Sequence, residues 1–570
     1  GQNTPIQLAG LLTTITNNFS LISTGSPAND LRIFDNNNTG TLNIGSNLSI
    51  SGGQLAIINS AASAAGVATV NVNGNLAITS GGIDMTGSTA NTAAATNLNI
   101  AGDINITGTG TVFRTQNVAA VITLNKATGT QLFSVANNSI NINNITWRIG
   151  NGSTTNVVNF NSNIDIHSAA TLSLLSNATL NCGTFILTGG NFDNQIASTL
   201  QIGSIDGITN APASFGNIQT TNRTFLNTAN YTYNGNVSQA TGNGLPSPLT
   251  GILNIANTGV FGNNTVTLST SGSTSSDLLL NTGLFAIGTA QLFNISNAGN
   301  VNAITGDFAT GVTGGTLNFN AAGTFSGNCN PYQVSISGAV NFGAGTVTIQ
   351  NAGTLRINNG ASIASNAAFY GNNSTLEYNV NGNFNRGLEW SSASGRGFPF
   401  HVLLSNNTVL NSAGAAAVNA AVVLNTGGNL TVDAGSTLSM SFSGNNMTVP
   451  LNVAGDITFT GNIIASNTAG GDITLQGDWI NNGVAAVNFT PNSRIVTFNG
   501  SALQTFTGSN TTINPFAHLT VNNPAGLMLT ILDVEIQNGL NLANGLVDLN
   551  NNQLTLGTSG NNGTLTGGSA

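Results

Sequence analysis

A short alternation of apolar and polar residues recurs along the chain at intervals of 22 to 28 residues. LNIGSNLSISGGQL from Leu42 is followed 28 positions later by VNVNGNLAITSGGI from Val70, and 28 positions further by LNIAGDINITGTGT from Leu98. LNVAGDITFTG from Leu451 matches the third copy at eight of eleven positions, and ITLQGDWINNG from Ile473 follows 22 residues later. Because self-similarity at a fixed period is the signature of repeat architectures, these copies predict stacked equivalent units.

Each copy contains two short strands separated by a sharp bend. Apolar residues at every second position predict strands with one buried face. Gly-Asp or Gly-Asn pairs such as Gly102-Asp103 and Gly455-Asp456 break the runs, because both residue types tolerate positive φ. The sequence therefore predicts an all-β fold, a right-handed parallel β-helix (β-solenoid) with about 22–28 residues per rung. One rung is one circuit of the chain, and roughly 20 rungs are expected at about 4.8 Å spacing.

Helix signals are nearly absent, since Gly, Asn, Thr and Ser are poor helix formers. Residues 1–34 are predicted to be an N-terminal cap or opening segment, in which the stretch from Ile6 to Ile22 fits a cap or a first strand. Residues 35–570 are predicted to form one continuous solenoid. The many Asn residues at bends are interpreted as structural, because Asn at one corner of successive rungs can stack in an amide ladder.

The low charge of the chain limits the classes of partner that it can bind. Charged residues make up 5% of the 570 residues, against about 25% in an ordinary globular domain. Nine scattered basic residues cannot line a phosphate backbone, and the net charge of the chain is -9. Nucleic acid is therefore not expected to bind. No apolar run reaches about 18 residues, so no membrane span is expected. The start at Gly1 is typical of a mature form after removal of an export signal, and the neutral surface, with Lys126 as its one lysine, suits an extracellular protein.

Three longer blocks share an aromatic-Asn-Gly motif. They are YTYNGNVSQATGNGLP at 231–246, STLEYNVNGNFNRGLEW at 374–390 and VTFNGSALQTFTG at 496–508. A strand of the Leu-Thr-Val-Asn-Asn type follows, and then GNLTV from Gly428 or GLNL from Gly539.

In the regions 231–260, 374–440 and 496–560, these units resemble recurrent blocks of long secreted and cell-surface β-helix proteins of Bacteroidetes-type bacteria, commonly type IX secretion cargo. The resemblance implies an adhesin or surface filament that passes through the secretion machinery, and it implies scaffold blocks without an activity of their own. The last residues, NNGTLTGGSA, depart from the family pattern because they are not an immunoglobulin-like sorting domain.

The densest group of charged and aromatic residues lies between positions 377 and 401. The candidate carbohydrate site within it consists of Glu377, Arg386, Glu389, Trp390 and Arg396, and Tyr378 and His401 lie nearby. Glycoside hydrolysis needs two carboxylates about 5–10 Å apart, and an Arg can act as the base of a lyase. The alternative is that Arg386 and Glu389 pair with each other to hold a long loop. The second interpretation is favoured because these residues belong to a repeated block, so no catalytic residue is assigned.

The remaining candidates are weaker. Asp165 and His167 face the same way on a predicted strand but show no third metal ligand. The acidic residues at or near Gly-Asp bends are Asp103, Asp456, Asp472 and Asp478. Calcium uses such carboxylates, but the nonapeptide of calcium-binding β-rolls is absent, so turn formation is expected. Neither a metal nor a cofactor is predicted.

Two further residue types have structural interpretations. Cys182 and Cys329 have no CxxC partner and are expected to be small buried side chains. Trp147, Trp390 and Trp479 are candidate sugar-stacking platforms, although Trp479 falls in an apolar column of the repeat and is predicted to be core.

The leading hypothesis is an extracellular structural and adhesive β-solenoid, displayed on a bacterial surface or assembled into a fibre, and not an enzyme. Its partners would be further copies of itself, other surface proteins or surface glycans. One alternative is a polysaccharide lyase or glycoside hydrolase on the same fold. Another alternative is an ice-binding solenoid. It is disfavoured because the Thr positions are not regular between copies: Thr79, Thr107 and Thr460 align, and other Thr residues do not.

Overall fold

A computed structural model describes residues 5–25, 29–34, 40–58, 66–86, 94–108, 113–115, 120–136, 141–142, 145–153, 155–310, 315–414, 424–484, 488–510, 514–530 and 533–568. The predicted all-β solenoid of parallel strands is confirmed, with about 21 rungs and about 1% helix. The helical residues are a 3-10 helix at Leu388–Trp390. Within the described ranges, no helix is long and apolar enough to cross a membrane.

The chain forms two compact units, Gly1–Ala286 and Ile287–Ala570. The first unit is built from three long parallel sheets and one short one. The first sheet contains Ile6–Gln7, Asp30–Phe34, Gln54–Ile58, Gly82–Thr86, Phe113–Thr115 and Asn141–Ile142. The second contains Thr14–Ile15, Thr41–Ile44, Gly66–Val72, Ala94–Ile100, Ala120–Leu124, Ile145–Ile149, Ile164–Leu174, Leu187–Asn194 and Asn222–Thr224. The third contains Phe19–Leu21, Leu48–Ile50, Leu76–Ile78, Ile104–Ile106, Thr130–Val135, Val157–Phe160, Thr179–Asn181, Thr199–Ile202, Asn230–Tyr233, Leu249–Ala256 and Ser273–Thr282. The short sheet contains Gln239–Ala240, Thr265–Thr267 and Leu284–Ala286.

The second unit is also built mainly from parallel sheets. Its longest sheet contains Leu292–Ala303, Thr316–Phe319, Gln333–Ile336, Thr354–Asn358, Thr375–Asn379, His401–Leu404, Leu430–Val432, Ile457–Phe459, Trp479–Asn481, Gln504–Gly508, Leu527–Leu529 and Val547–Asp548. Leu292–Ala303 also pairs with the series Gly323–Ser326, Ala339–Asn341 and Ser362–Ile363. Another sheet contains Leu424–Thr426, Leu451–Val453, Ile473–Leu475, Ile495–Phe498, Asn514–Asn522, Val534–Asn544, Leu554–Thr558, Asn561–Asn562 and Thr564–Gly567. A fourth contains Asn383–Asn385, Val409–Asn411, Thr437–Ser439, Asn462–Ile464 and Phe489–Thr490. The remaining strands are Asp307–Phe308, the pair Thr348–Ile349 and Phe369–Tyr370, and the antiparallel pair Ser441–Phe442 and Asn445–Asn446.

The strand register reproduces the columns of the sequence repeat. Leu42 is paired with Val70, and Val70 with Leu98, so the predicted 28-residue step is one rung. All three side chains are buried because alternate residues of a strand face the interior. Rung length varies beyond the predicted 22–28 residues, from 17 between Leu317 and Val334 to 31 between Leu200 and Tyr231. The corners absorb this variation, since only the strands must stay in register.

Residues 5–34 contribute strands to the stack. Thr14–Ile15 pairs in parallel with Thr41–Ile44, and Phe19–Leu21 pairs with Leu48–Ile50. The stretch from Ile6 to Ile22 thus contains three short strands, and its assignment as a cap stays a prediction.

Large aromatic side chains fill the interior. Trp147 packs between Phe113 and Phe133, with ring centroids 5.3 and 5.4 Å away. Trp479 packs against Phe459 and Phe489 at 5.4 and 4.9 Å. Both tryptophans are buried, so they are core residues and are not exposed platforms for sugars.

Candidate functional site

The Gly-Asx corners bind one rung to the next through side-chain oxygens. Asn47 Oδ1 accepts the main-chain N–H of Asn75, Asn75 Oδ1 accepts that of Asp103, and Asp103 Oδ1 accepts that of Leu132, all within 2.8–2.9 Å. The second unit uses the same device. There, Asn429 Oδ1 accepts the N–H of Asp456. These carboxylates and amides therefore form the corners, as expected of turn-forming Asp.

The other predicted corner residues behave in the same way. Asp456 Oδ1 accepts the N–H of Asp478 at 2.8 Å, and Asp478 Oδ1 accepts the N–H of Thr505 at 2.6 Å. Asp472 Oδ1 accepts the N–H of Ile495 at 3.0 Å. These aspartates bind main-chain amides of the following rung, which is a structural role.

The amide ladder predicted for Asn is found on strand faces. Asn71 Nδ2 donates to Asn43 Oδ1 at 2.8 Å, and Asn99 Nδ2 donates to Asn71 Oδ1 at 2.9 Å. The three residues lie at the same register position of neighbouring strands. Corner Asn residues instead bind main-chain N–H groups, so the chain uses two kinds of Asn ladder where the sequence predicted one.

The candidate carbohydrate residues surround a long loop of the second unit, residues 386–400, which we call the loop clamp. The Arg386 side chain at its start is buried. Its guanidinium donates to the carbonyls of Ser412 and Trp390 at 2.6 and 2.7 Å, and more weakly to those of Gly387 and Ala413 at 3.4 Å. Arg386 therefore binds the loop clamp to the next rung through main-chain carbonyls.

Glu389 lies inside the same loop, with 1% of its surface exposed. Its Oε1 accepts the N–H of Gly387 at 2.6 Å and the hydroxyl of Tyr378 at 3.0 Å. Burial raises the pKa of the Glu389 carboxyl above its ordinary value, while these two hydrogen bonds and the charge of Arg386 act in the opposite direction. The expected direct pair of Arg386 and Glu389 does not occur among the ion pairs of the described residues. The two side chains hold the loop separately.

Glu377 faces away from Glu389. Glu377 and Tyr378 are consecutive on the strand Thr375–Asn379, so their side chains point to opposite faces. Tyr378 is fully buried and bonds Glu389. Glu377 Oε2 instead pairs with Arg356 at 2.8 Å, and its Oε1 accepts the hydroxyl of Ser405 at 2.8 Å. The two carboxylates therefore lie on opposite sides of one strand and do not converge on a cleft.

The other candidates also hold the loop clamp. Arg396 donates to the carbonyl of Ala367 at 2.7 Å and to that of Gly345, and its guanidinium lies 4.8 Å from the ring centroid of Phe369. Trp390 is fully buried, which removes it as a stacking platform. His401 Nδ1 accepts the N–H of Asn429 at 3.0 Å, and burial lowers the pKa of this imidazole.

Sequence reasoning missed a buried glutamine in each of two aromatic-Asn-Gly blocks. Gln239 Oε1 accepts the N–H of Gly235 at 2.8 Å, and its Nε2 donates to the carbonyls of Ile202 and Ser204 at 2.9 Å. The signal was present, because a glutamine stands four residues after the glycine of the motif in both blocks.

Gln504 repeats this arrangement in the second unit. Its Oε1 accepts the N–H of Gly500 at 2.8 Å, and its Nε2 donates to the carbonyls of Leu475 and Gly477. Asn523 Nδ2 adds a bond to the Gln504 oxygen at 3.0 Å. We call the sites of Gln239 and Gln504 the neutral corners.

The weaker candidates are engaged locally. Asp165 Oδ1 accepts the hydroxyl of Thr188 at 2.8 Å, and His167 Nδ1 accepts the N–H of Ala169 at 3.1 Å. Cys182 and Cys329 are buried as expected, and burial raises the pKa of both thiols. In the part of the chain that the structure describes, no group of three or more His, Cys, Asp or Glu side chains is arranged to hold a metal ion.

No protein-family model, no curated protein and no solved structure matches the chain.

Proposed function

We propose that this chain is an extracellular structural and adhesive β-solenoid, displayed on a bacterial surface or assembled into a fibre. The proposal rests on the structural role of the few charged residues. Arg386 and Arg396 bind main-chain carbonyls that join the loop clamp to neighbouring rungs, and Glu389 binds the Gly387 amide within it. Glu377 binds Arg356 and Ser405. The residues that an enzyme would need are thus engaged in holding the scaffold.

The outer faces of the strands support an adhesive role. They carry neutral amides and hydroxyls, as in the ladder Asn43, Asn71 and Asn99. A chain in which 5% of the residues are charged has little electrostatic repulsion between copies or toward a neutral partner. Many weak contacts along repeated rungs can add up to strong attachment by multivalency.

The first test is immunogold electron microscopy of intact source cells with an antibody against the chain. We expect label on the cell surface or along extracellular fibres. Permeabilised cells of the same culture are the control. Label that requires permeabilisation would contradict the proposal.

A second experiment addresses the enzyme alternative. The purified chain is incubated with acidic and neutral polysaccharides, and new reducing ends and unsaturated sugars are measured. We expect no turnover above the buffer control. Turnover that Glu377→Gln or Glu389→Gln abolishes would replace the proposal with the carbohydrate-active enzyme.

A further inference from the structure

A groove crosses one sheet of the second unit beside the loop clamp. Its floor is formed by the consecutive parallel strands Leu424–Thr426, Leu451–Val453, Ile473–Leu475 and Ile495–Phe498. Three steps between neighbouring strands span about 14 Å, which suits a short segment of an extended chain molecule. Residues from all four rungs and Phe398 of the loop clamp line the groove.

Neutral hydrogen-bonding side chains line the floor. Asn452 and Thr474 are paired in register, and each lies between two buried residues of its strand, so both face outward. Gln476 is exposed, and its side chain makes no hydrogen bond within the described residues. Asn499 lines the groove on the fourth rung and is half-buried. The floor thus presents neutral hydrogen-bonding side chains in a row.

Phe398 supplies an aromatic wall. Phe398 and Phe400 pack over Gly427, since a Cβ added to that glycine would lie 3.6 Å from Phe398 Cζ and 3.4 Å from Phe400 Cδ2. Phe398 keeps part of its ring exposed. Each of its neighbours in sequence is hydrogen-bonded, with the N–H of Gly397 donating to Ala368 and the carbonyl of Pro399 accepting from Gly427. The ring is therefore held in place before any ligand arrives, which lowers the entropy cost of binding.

The lining of the groove offers no cation to an anionic ligand. None of the described residues that line it is charged. The charged residues nearest to the lining in sequence stand two positions away, Asp456, Asp472 and Asp478 next to the strands of the floor and Arg396 beside Phe398. Arg396 is engaged with the main-chain carbonyls of Ala367 and Gly345. An acidic sugar chain would therefore find no charged partner among the lining residues.

We propose that this groove binds a neutral polysaccharide chain. Phe398 packs against the apolar C–H face of one sugar ring, and Asn452, Thr474, Gln476 and Asn499 hydrogen-bond the hydroxyls of successive rings. An aromatic face beside a few placed polar groups is the usual composition of a small-molecule site. The inference rests on the adhesive function proposed above, to which it adds a ligand class and a location.

The test is isothermal titration of the full chain with neutral hexasaccharides of glucose, N-acetylglucosamine, mannose and galactose, and with an oligogalacturonate as the acidic probe. We expect saturable binding of at least one neutral hexasaccharide and weaker or no binding of the acidic one. Phe398→Ala should weaken that binding about tenfold, and Phe398→Tyr should retain it. Gln476→Ala should weaken it about threefold.

Two variants serve as controls for this test. Phe261→Ala removes a ring that is 95% exposed in the first unit and should leave binding unchanged. Gln476→Ala alters an exposed side chain, so it reports on the groove even where Phe398→Ala disturbs the loop clamp, and circular dichroism checks the fold of each variant. Failure of all neutral hexasaccharides to bind, tighter binding of the acidic probe, or equal binding by wild type, Phe398→Ala and Gln476→Ala would overturn the proposal.

The two proposals fail in distinguishable ways. Surface label on intact cells without saccharide binding would reject the groove alone. Saccharide binding with label restricted to permeabilised cells would reject the extracellular function and leave the groove as a binding site.

Discussion

The neutral corners and the loop clamp begin from the same sequence motif and are held together by different chemistry. At the neutral corners, Gln239 and Gln504 each accept one main-chain N–H and donate to two carbonyls of the preceding rung. At the loop clamp, Arg386 donates to four carbonyls while Glu389 accepts separately from Gly387 and Tyr378.

The difference follows from the number of main-chain groups that each site must satisfy. A short corner leaves an N–H and a pair of carbonyls, which one amide side chain can serve without any charge. The longer loop leaves several carbonyls pointing to one place, and a guanidinium with five fixed donors suits them. The charged solution makes the loop clamp sensitive to pH and leaves the neutral corners insensitive.

The largest expected effect is that of Arg386→Ala. It removes the guanidinium donor from four carbonyls, three of them on the buried residues Trp390, Ser412 and Ala413, so we expect a local loss of about 3 kcal/mol or more. Native-state hydrogen exchange of the Ser391 and Gly397 amides measures it, since both lie in the loop clamp. Arg148→Ala, at an exposed position of the first unit, is the control. Unchanged protection in Arg386→Ala would show that the guanidinium does not hold the loop.

Gln504→Ala should have the next largest effect, about 2–3 kcal/mol. It removes the side-chain partner of the Gly500 N–H and of the Gly477 carbonyl, and one of the two donors to the Leu475 carbonyl, which keeps the N–H of Asn499. Exchange of the Gly500 amide is the readout, and Gln239→Ala with the Gly235 amide should give a similar loss in the first unit. Gln476→Ala removes an exposed glutamine nearby and serves as the matched control. A loss at Gln504 no larger than at Gln476 would remove the neutral corner from the comparison.

The stability of the loop clamp should depend on pH, with a smaller effect than the two substitutions above and with a defined sign. Burial raises the native pKa of Glu389 above its unfolded value, so the native state binds more protons between the two values. The free energy of unfolding is then highest below the unfolded pKa and falls as pH rises through the native one. The phenols of Tyr370 and Tyr378 stay protonated in this range, because burial raises their pKa well above 10.

Glu389→Gln tests this prediction. It should abolish the fall in the protection free energies of Ser391 and Gly397 with rising pH, after correction for intrinsic exchange. The Gly500 amide is the internal reference, since the side chains that bind its corner do not titrate. A pH dependence that survives Glu389→Gln would assign the effect to another group.

The smallest effect is expected at the Arg356–Glu377 pair. Its atoms are 2.8 Å apart, but the Arg356 side chain is 49% exposed, so Arg356→Ala should cost about 0.5 kcal/mol or less and lose its effect at high salt. Exchange measured at low and high ionic strength checks this, with wild type at both salts as reference. A salt-dependent loss above about 1 kcal/mol would mean that surface charge contributes more to the scaffold than we expect, and a salt-independent loss of that size would assign the effect to packing of the Arg356 side chain.

The sequence predicted those features of the fold that depend on periodicity. Columns such as Leu42, Val70 and Leu98 follow from alternation alone, because one strand face must be buried. The 17-residue step from Leu317 to Val334 was not predictable, because corners vary in length without disturbing register. At the candidate site, the proximity of Glu377 and Glu389 in sequence concealed their opposite placement, which is determined by Tyr378 facing inward and Glu377 outward. The sequence analysis gave Arg386 its role in holding a long loop but the wrong partner, because main-chain carbonyls cannot be identified as partners from a sequence.

The corner ladder has a direction. The oxygen of Asn47 accepts the N–H of Asn75 on the next rung, and the oxygen of Asn75 in turn accepts the N–H of Asp103. Each rung thus provides side-chain acceptors for the rung that follows it along the chain, and that rung needs to supply only a backbone amide to each bond. Leu132 occupies such a position without any polar side chain, and it receives the bond but cannot pass it on. Each of these bonds runs from a backbone amide of the later rung to a side-chain oxygen of the earlier one, so a duplicated rung can be added wherever an Asx residue stands at the corner before it.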